Sequence, residues 1–315
     1  MKTAICGVWH VHAADYTKKA LEKDGVEVIG FFEENDRLAA EFGKKFNLFR
    51  FASFDDLLKS DAEAVIVCCP TDKHADCIIA LADAKKDVFT EKVLALSTDD
   101  CMRVKEAVAA NGIRFVISLF QKSLGGIRTI KALADSGRLG HLNYVRFRNC
   151  HNGSTGDWLP SHFFNKTQCG GGAMIDLGAH GMYIVDWFLG LPSAYRSAFT
   201  VRDNNPKNTD RLEDNAVTVM TYEDGTIAIN ETGFVSAGSP AVLEVGGDRG
   251  FARYTAGKNI EIRIPGENAD TTIPAMPDLP LPIDAFLSGK TLKGCGIDDA
   301  VNLTVMMEGA YLSQK

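Results

Sequence analysis

Short apolar runs separated by amphipathic stretches fill the first 118 residues of the chain. The apolar runs are Lys2–Cys6, Val26–Phe32, Ala64–Cys69, Val88–Thr90 and Ile113–Ser118. Between them, Ala13–Lys23, Asp36–Phe46, Phe54–Leu58, His74–Ala84 and Thr98–Asn111 carry helical spacing, the last closed by Gly112. Strands without polar alternation are buried on both faces. Their regular exchange with helices predicts a parallel, doubly wound sheet.

The pattern changes after residue 120. Ile127–Ser136 reads as a helix closed by Gly137, and Leu142–Phe147 alternates as a half-buried strand does. A glycine-rich loop leads into a helix over Met174–Leu189, stopped by Gly190 and Pro192. From about residue 194 to 265 the chain predicts antiparallel strands. Val217–Tyr222 and Thr226–Val235 flank Asp224-Gly225, a hairpin signal. Leu243–Val245 and Phe251–Tyr254 flank Gly246-Gly247-Asp248, and Asn259–Ile264 adds a strand. Pro274 to Pro282 reads as a loop, and Asp298–Ser313 as a final amphipathic helix. The expected architecture is an N-terminal Rossmann-type parallel sheet over 1–119. A C-terminal α+β domain with a largely antiparallel open sheet follows over 120–315, its last helix, 298–313, available to pack back between the two. The sequence stops at Lys315 without a clear cap, which suggests that the natural protein continues.

At 315 residues, two domains are the expectation. A hydrophobic share of 45% and a charged share of 24% are those of a globular chain with a full core. The net charge of −7 and the absence of any Lys/Arg-rich run argue against a nucleic-acid partner. No apolar run approaches the ~18 residues of a membrane span, and no secretory leader is expected. The eight cysteines form no C-x-x-C pair and several lie in apolar runs, which suits free thiols in a reducing cytoplasm. Cys150, His151 and Cys169 lack zinc-ligand spacing. His10 and His12 have no third ligand nearby in the sequence. No metal site is therefore expected.

The candidate chemistry lies in two places. Asp176 and His180 sit four apart at the start of a helix fed by Gly170-Gly171-Gly172, so both face one side. Lys92 closes the buried strand that ends at Thr90, with Glu91 before it. A histidine can take a hydroxyl proton, and a lysine in a cleft can donate to a substrate oxygen. Asp176 would bind or orient a substrate hydroxyl. At the end of the second strand, Glu33 suits acceptance from ribose hydroxyls, favouring NAD over NADP, with Glu34 as its neighbour and Arg37 close by.

These motifs, in order, resemble the glucose–fructose oxidoreductase / inositol dehydrogenase (Gfo/Idh/MocA) family. Glu91-Lys92 is similar to its Glu-Lys-Pro motif, and Cys69-Pro70-Thr71-Asp72-Lys73-His74 to its Thr-Pro-x-x-x-His turn. Ser136-Gly137-Arg138-Leu139-Gly140 resembles its Ser-Gly-x-Leu-Gly turn. Gly170 to His180 resembles its Gly-Gly-Gly…Asp-x-Gly-x-His segment, and Ala310-Tyr311-Leu312-Ser313 the end of its last helix. The departures are equally specific. Gly7-Val8-Trp9-His10-Val11-His12 keeps one glycine of a Gly-x-Gly-x-x-Gly turn, so Trp9, His10 and His12 must fold away from a cofactor or contact it. Val93 replaces the motif's proline, and Phe120-Gln121-Lys122-Ser123 stands where many members carry arginine and then proline.

The resemblance implies an NAD(P)-dependent oxidoreductase moving a hydride to or from a secondary alcohol or ketone of a sugar, polyol or related small molecule. Lys92, Asp176 and His180 would be catalytic. Gly7, Trp9, His10, Val11, Glu33, Cys69, Pro70, Thr71, His74, Glu91 and Lys92 would hold the cofactor. His151, Trp158 and His162, with Asn152 and Phe163/Phe164 beside them, are candidates for substrate contact. A homodimer or homotetramer formed through 215–264 is expected. Two rival readings stand beside this one: a non-catalytic NAD- or sugar-binding sensor, motivated by the eroded glycine turn, and an NAD-assisted glycoside hydrolase.

Overall fold

The computed structural model describes residues 1–267 and 271–314. The chain divides into two compact units, Met1–Ser118 with Pro280–Thr304, and Leu119–Leu279 with Val305–Lys315. The sequence reading assigns everything after residue 119 to the second domain; in the fold, 280–304 returns to the first unit.

The first unit runs β1 (Lys2–Cys6), α1 (Ala13–Glu22), β2 (Glu27–Phe32), α2 (Asp36–Phe46), α3 (Phe54–Lys59), β3 (Ala64–Val67), α4 (His74–Asp83), β4 (Asp87–Thr90), α5 (Thr98–Asn111) and β5 (Phe115–Ile117). All strand pairings are parallel, in the order β2-β1-β3-β4-β5. Every residue of β3 is fully buried, as its unbroken Ala-Val-Ile-Val sequence requires. Side-chain caps from Asn35, Ser53 and Ser97 open α2, α3 and α5. Connections leave β1 in opposite directions, so the strand order reverses between β1 and β3. In open α/β sheets that crevice, beyond the strands' carboxyl ends, is where ligands bind.

The second unit opens with α6 (Gly125–Asp135) and β6 (Leu142–Cys150), then one helical turn, α7 (Lys166–Cys169). A π-helical turn over Met174–Gly178 continues into α8 (Ala179–Leu189). Strands β7 (Ala194–Thr200), β8 (Asn215–Thr221), β9 (Ile227–Gly233), β10 (Val242–Gly247), β11 (Phe251–Thr255), β12 (Ile260–Arg263) and β13 (Thr271–Ile273) complete a sheet of order β13-β12-β11-β10-β6-β9-β8-β7. The sheet is antiparallel except where β6 runs parallel to β9. Its two faces follow the alternation of the strands. Val145, Phe147, Ala228, Asn230, Leu243 and Val245 are buried on one face. On the other, Arg146 bridges Glu231 and Glu244, and Arg253 reaches Glu261.

Two helices follow in the chain, α9 (Pro282–Leu287) and α10 (Ile297–Leu312). Helix α9 begins inside the stretch read from sequence as a loop: Pro282 supplies a first-turn proline and Asp284 caps the amide of Leu281. In the first unit the Phe286 ring lies 5.7 Å from that of Phe89, and the Arg114 guanidinium sits 4.7 Å over it.

Candidate functional site

The residues proposed from sequence for the cofactor converge at the carboxyl ends of the strands of the first unit. Gly7 directly follows β1 with φ +80°, and a Cβ there would lie 2.4 Å from the backbone of Cys69. Only glycine lets β1 and β3 meet that closely. The bulky residues of the eroded turn fold inward: Trp9 and His10 are buried, while Val11 is exposed and His12 half-exposed. Of the residues that stand in for the missing glycines, Trp9 and His10 are thus withdrawn from solvent, whereas Val11 and His12 are not. The turn is braced by its own backbone, with His10 N donating to Cys68 O at 3.1 Å and Ala13 N to His10 O at 3.0 Å.

Glu33 is buried at the end of β2, where it accepts from Val8 N and Asn35 N, both at 2.8 Å. A carboxylate has about four acceptor positions, so the two amides leave capacity for ribose hydroxyls. Glu34 instead pairs with Lys73, and Arg37 with Glu41 at 3.0 Å. His74 is buried, its ring nitrogens facing Val93 O at 3.0 Å and Cys69 O at 3.1 Å. Burial pushes this imidazole below its ordinary pKa despite the two carbonyls. It thus braces the Cys69-Pro70-Thr71 turn against the segment that follows Lys92.

Glu91 and Lys92 are buried directly after β4, and the Lys92–Val93 peptide bond is cis. Glu91 is the hub of the first unit. Its Oε1 accepts from the Tyr16 hydroxyl and lies 2.8 Å from His12 Nδ1 and 3.8 Å from His10 Nδ1. Its Oε2 accepts from Lys92 N at 3.1 Å. Tyr16 Oη also lies 2.8 Å from Ser118 Oγ. Burial opposes the charge on Glu91, but the His10 charge, the His12 hydrogen bond and charge, and Lys92 outweigh it, holding the carboxyl far below the usual range. The sequence reading finds no third group for the His10/His12 pair; the fold supplies it from 79 residues beyond His12.

The second unit carries Asp176 and His180. They do not share one uniform helix, because Asp176 lies in the π turn and His180 in the first turn of α8. The widened turn is held from β9: Asn230 Nδ2 donates to Gly178 O at 2.7 Å, and Thr232 Oγ1 to Ala173 O at 3.2 Å. Such π bulges concentrate at functional sites. A Cβ on Gly181 would lie 2.0 Å from Asn230 Oδ1, so glycine is needed for α8 to rest on β9. Upstream, Glu213 Oε1 accepts from Gly172 N at 2.9 Å, Met174 N at 3.0 Å and Tyr311 Oη at 2.6 Å. A Cβ on Gly172 would lie 2.1 Å from Glu213 O. Burial pushes the Glu213 carboxyl up, and these hydrogen bonds oppose that rise.

His180 is buried with Nδ1 2.8 Å from the Tyr183 hydroxyl. That hydroxyl also accepts from Gln121 N at 3.2 Å. The Phe120 ring meets the imidazole edge-on at 5.1 Å. Lys122, in the stretch that departs from the family pattern, is buried with its ammonium 5.9 Å from the ring centres of both Tyr183 and Trp187. Tyr183, Glu213, Asn230 and Tyr16 all escape the sequence reading. Each acts through a partner distant in sequence or through a hydroxyl with no motif of its own.

The aromatic candidates also lie in the second unit. His151 stacks on Phe234 at 5.0 Å and lies 4.5 Å from Trp158. Trp158 is 54% exposed, a large apolar surface left open, with Nε1 donating to Asn152 Oδ1 at 3.2 Å. His162 sits beside Phe163, and burial pushes its imidazole down to about 4. Phe163 and Phe164 belong to a buried cluster with Leu159, Leu177 and Phe234.

A parallel sheet with a buried acid at the end of β2 and a buried Glu-Lys pair at the end of β4 defines, with the second unit, an oxidoreductase of the NAD-binding Rossmann class. Residues 1–119 match the model of the oxidoreductase family with an NAD-binding Rossmann fold, and residues 127–253 that of the GFO/IDH/MocA C-terminal domain. The chain belongs to the Gfo/Idh/MocA oxidoreductases. An inositol 2-dehydrogenase of Salmonella paratyphi B is 28% identical over 286 residues, spanning 88% of this chain and 74% of that protein. GenD2 from gentamicin A biosynthesis, solved with NAD, has a TM-score of 0.81 at 21% identity, covering 99% of this chain and 93% of its own. Levoglucosan dehydrogenase, solved with NADH and levoglucosan, has a TM-score of 0.82 at 16% identity, with 99% and 96% covered. Both share the fold. No helix among the described residues is long and apolar enough to cross a membrane.

Proposed function

We propose that the protein is an NAD-dependent dehydrogenase or reductase acting on a secondary alcohol, or the matching ketone, of a sugar, polyol or related hydroxylated small molecule. The observation that carries this reading is the buried imidazole of His180, held through Nδ1 by the Tyr183 hydroxyl at 2.8 Å. With Nδ1 so engaged, the nitrogen assigned to proton exchange with a substrate hydroxyl is Nε2. NAD supplies the hydride chemistry when bound. Lys92 donates to the substrate oxygen as charge develops on it. Asp176 orients a neighbouring hydroxyl by accepting its proton in a hydrogen bond. Trp158 offers an exposed ring against which a sugar face can stack. The names of the relatives, inositol 2-dehydrogenase and levoglucosan dehydrogenase, support a polyhydroxylated substrate. Eight buried free thiols suit a reducing cytoplasm.

Glu33 is assigned to the ribose hydroxyls, and its charge would repel a 2′-phosphate. Glu33→Ala is expected to weaken NADH binding by about 10- to 100-fold, the worth of hydrogen bonds to a charged group, and to narrow a preference for NADH over NADPH. Titration of nicotinamide fluorescence measures both. Equal affinity for the two nucleotides in the wild type would remove this role. The open face of the second sheet, within 215–264, is proposed as a homo-oligomer surface; a light-scattering mass of one chain would refute it.

A further inference from the structure

The hub around Glu91 has the composition and dimensions of a metal site. His10, His12 and Glu91 each offer a ligand atom, and those atoms all lie within 4.8 Å of one another. Zinc bonds of about 2.1 Å in a tetrahedron separate neighbouring ligand atoms by about 3.4 Å. The observed separations of 2.8 Å for His12 and 3.8 Å for His10 from Glu91 Oε1 bracket that edge.

We propose that this triad binds one divalent ion of the zinc class, fastening the Gly7–His12 turn to the end of β4. Two imidazoles and one carboxylate suit borderline transition ions rather than Mg²⁺ or Ca²⁺, which take oxygen ligands. Three protein ligands leave a fourth position, and the half-exposed side of His12 lets a water reach it. The carboxylate is already oriented as metal ligands are, by outer partners: Tyr16 Oη on Oε1 and Lys92 N on Oε2. Tyr16 is itself set by Ser118. The ion takes the place now filled by the proton between His12 Nδ1 and Glu91. At His10 Nδ1 it takes the place of the long 3.2 Å contact from His12 N. Both imidazoles must be neutral to bind, so the ion releases protons and its affinity falls as pH falls.

The test uses the full chain without an affinity tag, stripped with chelator and titrated with Zn²⁺ by calorimetry and with Co²⁺ by visible absorption. The expected result is one ion per chain and tetrahedral cobalt bands without a thiolate charge-transfer band. His10→Asn and His12→Asn should each weaken binding by more than the roughly 10- to 100-fold that loss of an outer partner costs, and Tyr16→Phe by an amount within that range. His12 is half-exposed, so its replacement should leave the fold intact, which far-ultraviolet circular dichroism verifies. The proposal is overturned if the folded wild type takes up no ion. It is equally overturned if both histidine variants bind as the wild type does. A thiolate band would overturn it too, placing the ion instead at the buried Cys6/Cys77 pair, whose sulfurs lie 3.4 Å apart.

Discussion

His180→Ala is expected to lower kcat/KM by about 10²- to 10⁴-fold, the range for a lost general acid–base, while NADH affinity is retained. The groups assigned to the cofactor are braced within the first unit, Glu33 by the amides of Val8 and Asn35 and Glu91 by Tyr16 and His12, and NADH affinity is therefore the control for this substitution. Lys92→Ala should cost about 10²- to 10³-fold, as loss of a donor to a developing oxyanion does. Tyr183→Phe separates positioning from chemistry. The Tyr183 hydroxyl lies 2.8 Å from Nδ1 and holds the ring in place. Its loss should therefore reduce kcat less than His180→Ala does. Full activity in a folded His180→Ala protein would remove His180 from the mechanism.

Glu213→Ala should produce the largest structural effect. One carboxylate oxygen accepts from two amides of the glycine segment and from Tyr311. Deleting it leaves two buried amides and the part-buried Tyr311 hydroxyl without that acceptor, the buried donors at about 1–3 kcal/mol each, so a loss of about 3 kcal/mol or more is expected. Urea denaturation reads this as a lower midpoint at unchanged slope. Activity should fall with it, because the Gly172–Met174 segment leads directly into the π turn that carries Asp176. Glu213→Gln retains an acceptor oxygen and should cost less on both measures. A wild-type midpoint in Glu213→Ala would show that the glycine segment is held by other means.

Much of the first unit was legible because its physics is local. The unbroken apolar run Ala64–Cys69 reads as a strand buried on both faces, and the helical spacing of Asp36–Phe46 matches a helix that Asn35 caps. The hairpin around Asp224-Gly225 was likewise readable from its turn chemistry. The π turn was not. The four-residue spacing of Asp176 and His180 fits an ordinary helix, and the side chains that bond the widened turn, Asn230 and Thr232, lie on a strand more than fifty positions away. The parallel pairing of β6 with β9 also has no local signal, since the two strands are separated by the entire glycine segment, α8, β7 and β8.

The site divides along the same line. Lys92, Asp176 and His180 stood out by residue type and spacing. Their supports, Tyr183 and Glu213, are a tyrosine and a glutamate with no motif of their own, and Glu213 meets Tyr311 across 98 positions. The group that joins the histidine pair escaped the sequence for the same reason. A pair of histidines two apart invites a search of neighbouring residues, whereas the third group, Glu91, arrives through the pairing of β1 with β3 and β3 with β4. That Trp9 and His10 are buried while His12 stays half-exposed is likewise not visible in the sequence.

The most direct measurement is nicotinamide absorbance with NAD or NADH in the presence of a panel of cyclic polyols, aldoses and their keto derivatives, run with wild type and His180→Ala. The account predicts that at least one polyhydroxylated compound drives NAD reduction, or its ketone NADH oxidation, and that His180→Ala abolishes the signal while still binding NADH. A wild-type protein that binds NADH tightly yet leaves its absorbance unchanged across the panel, or a His180→Ala protein as active as the wild type, would contradict it.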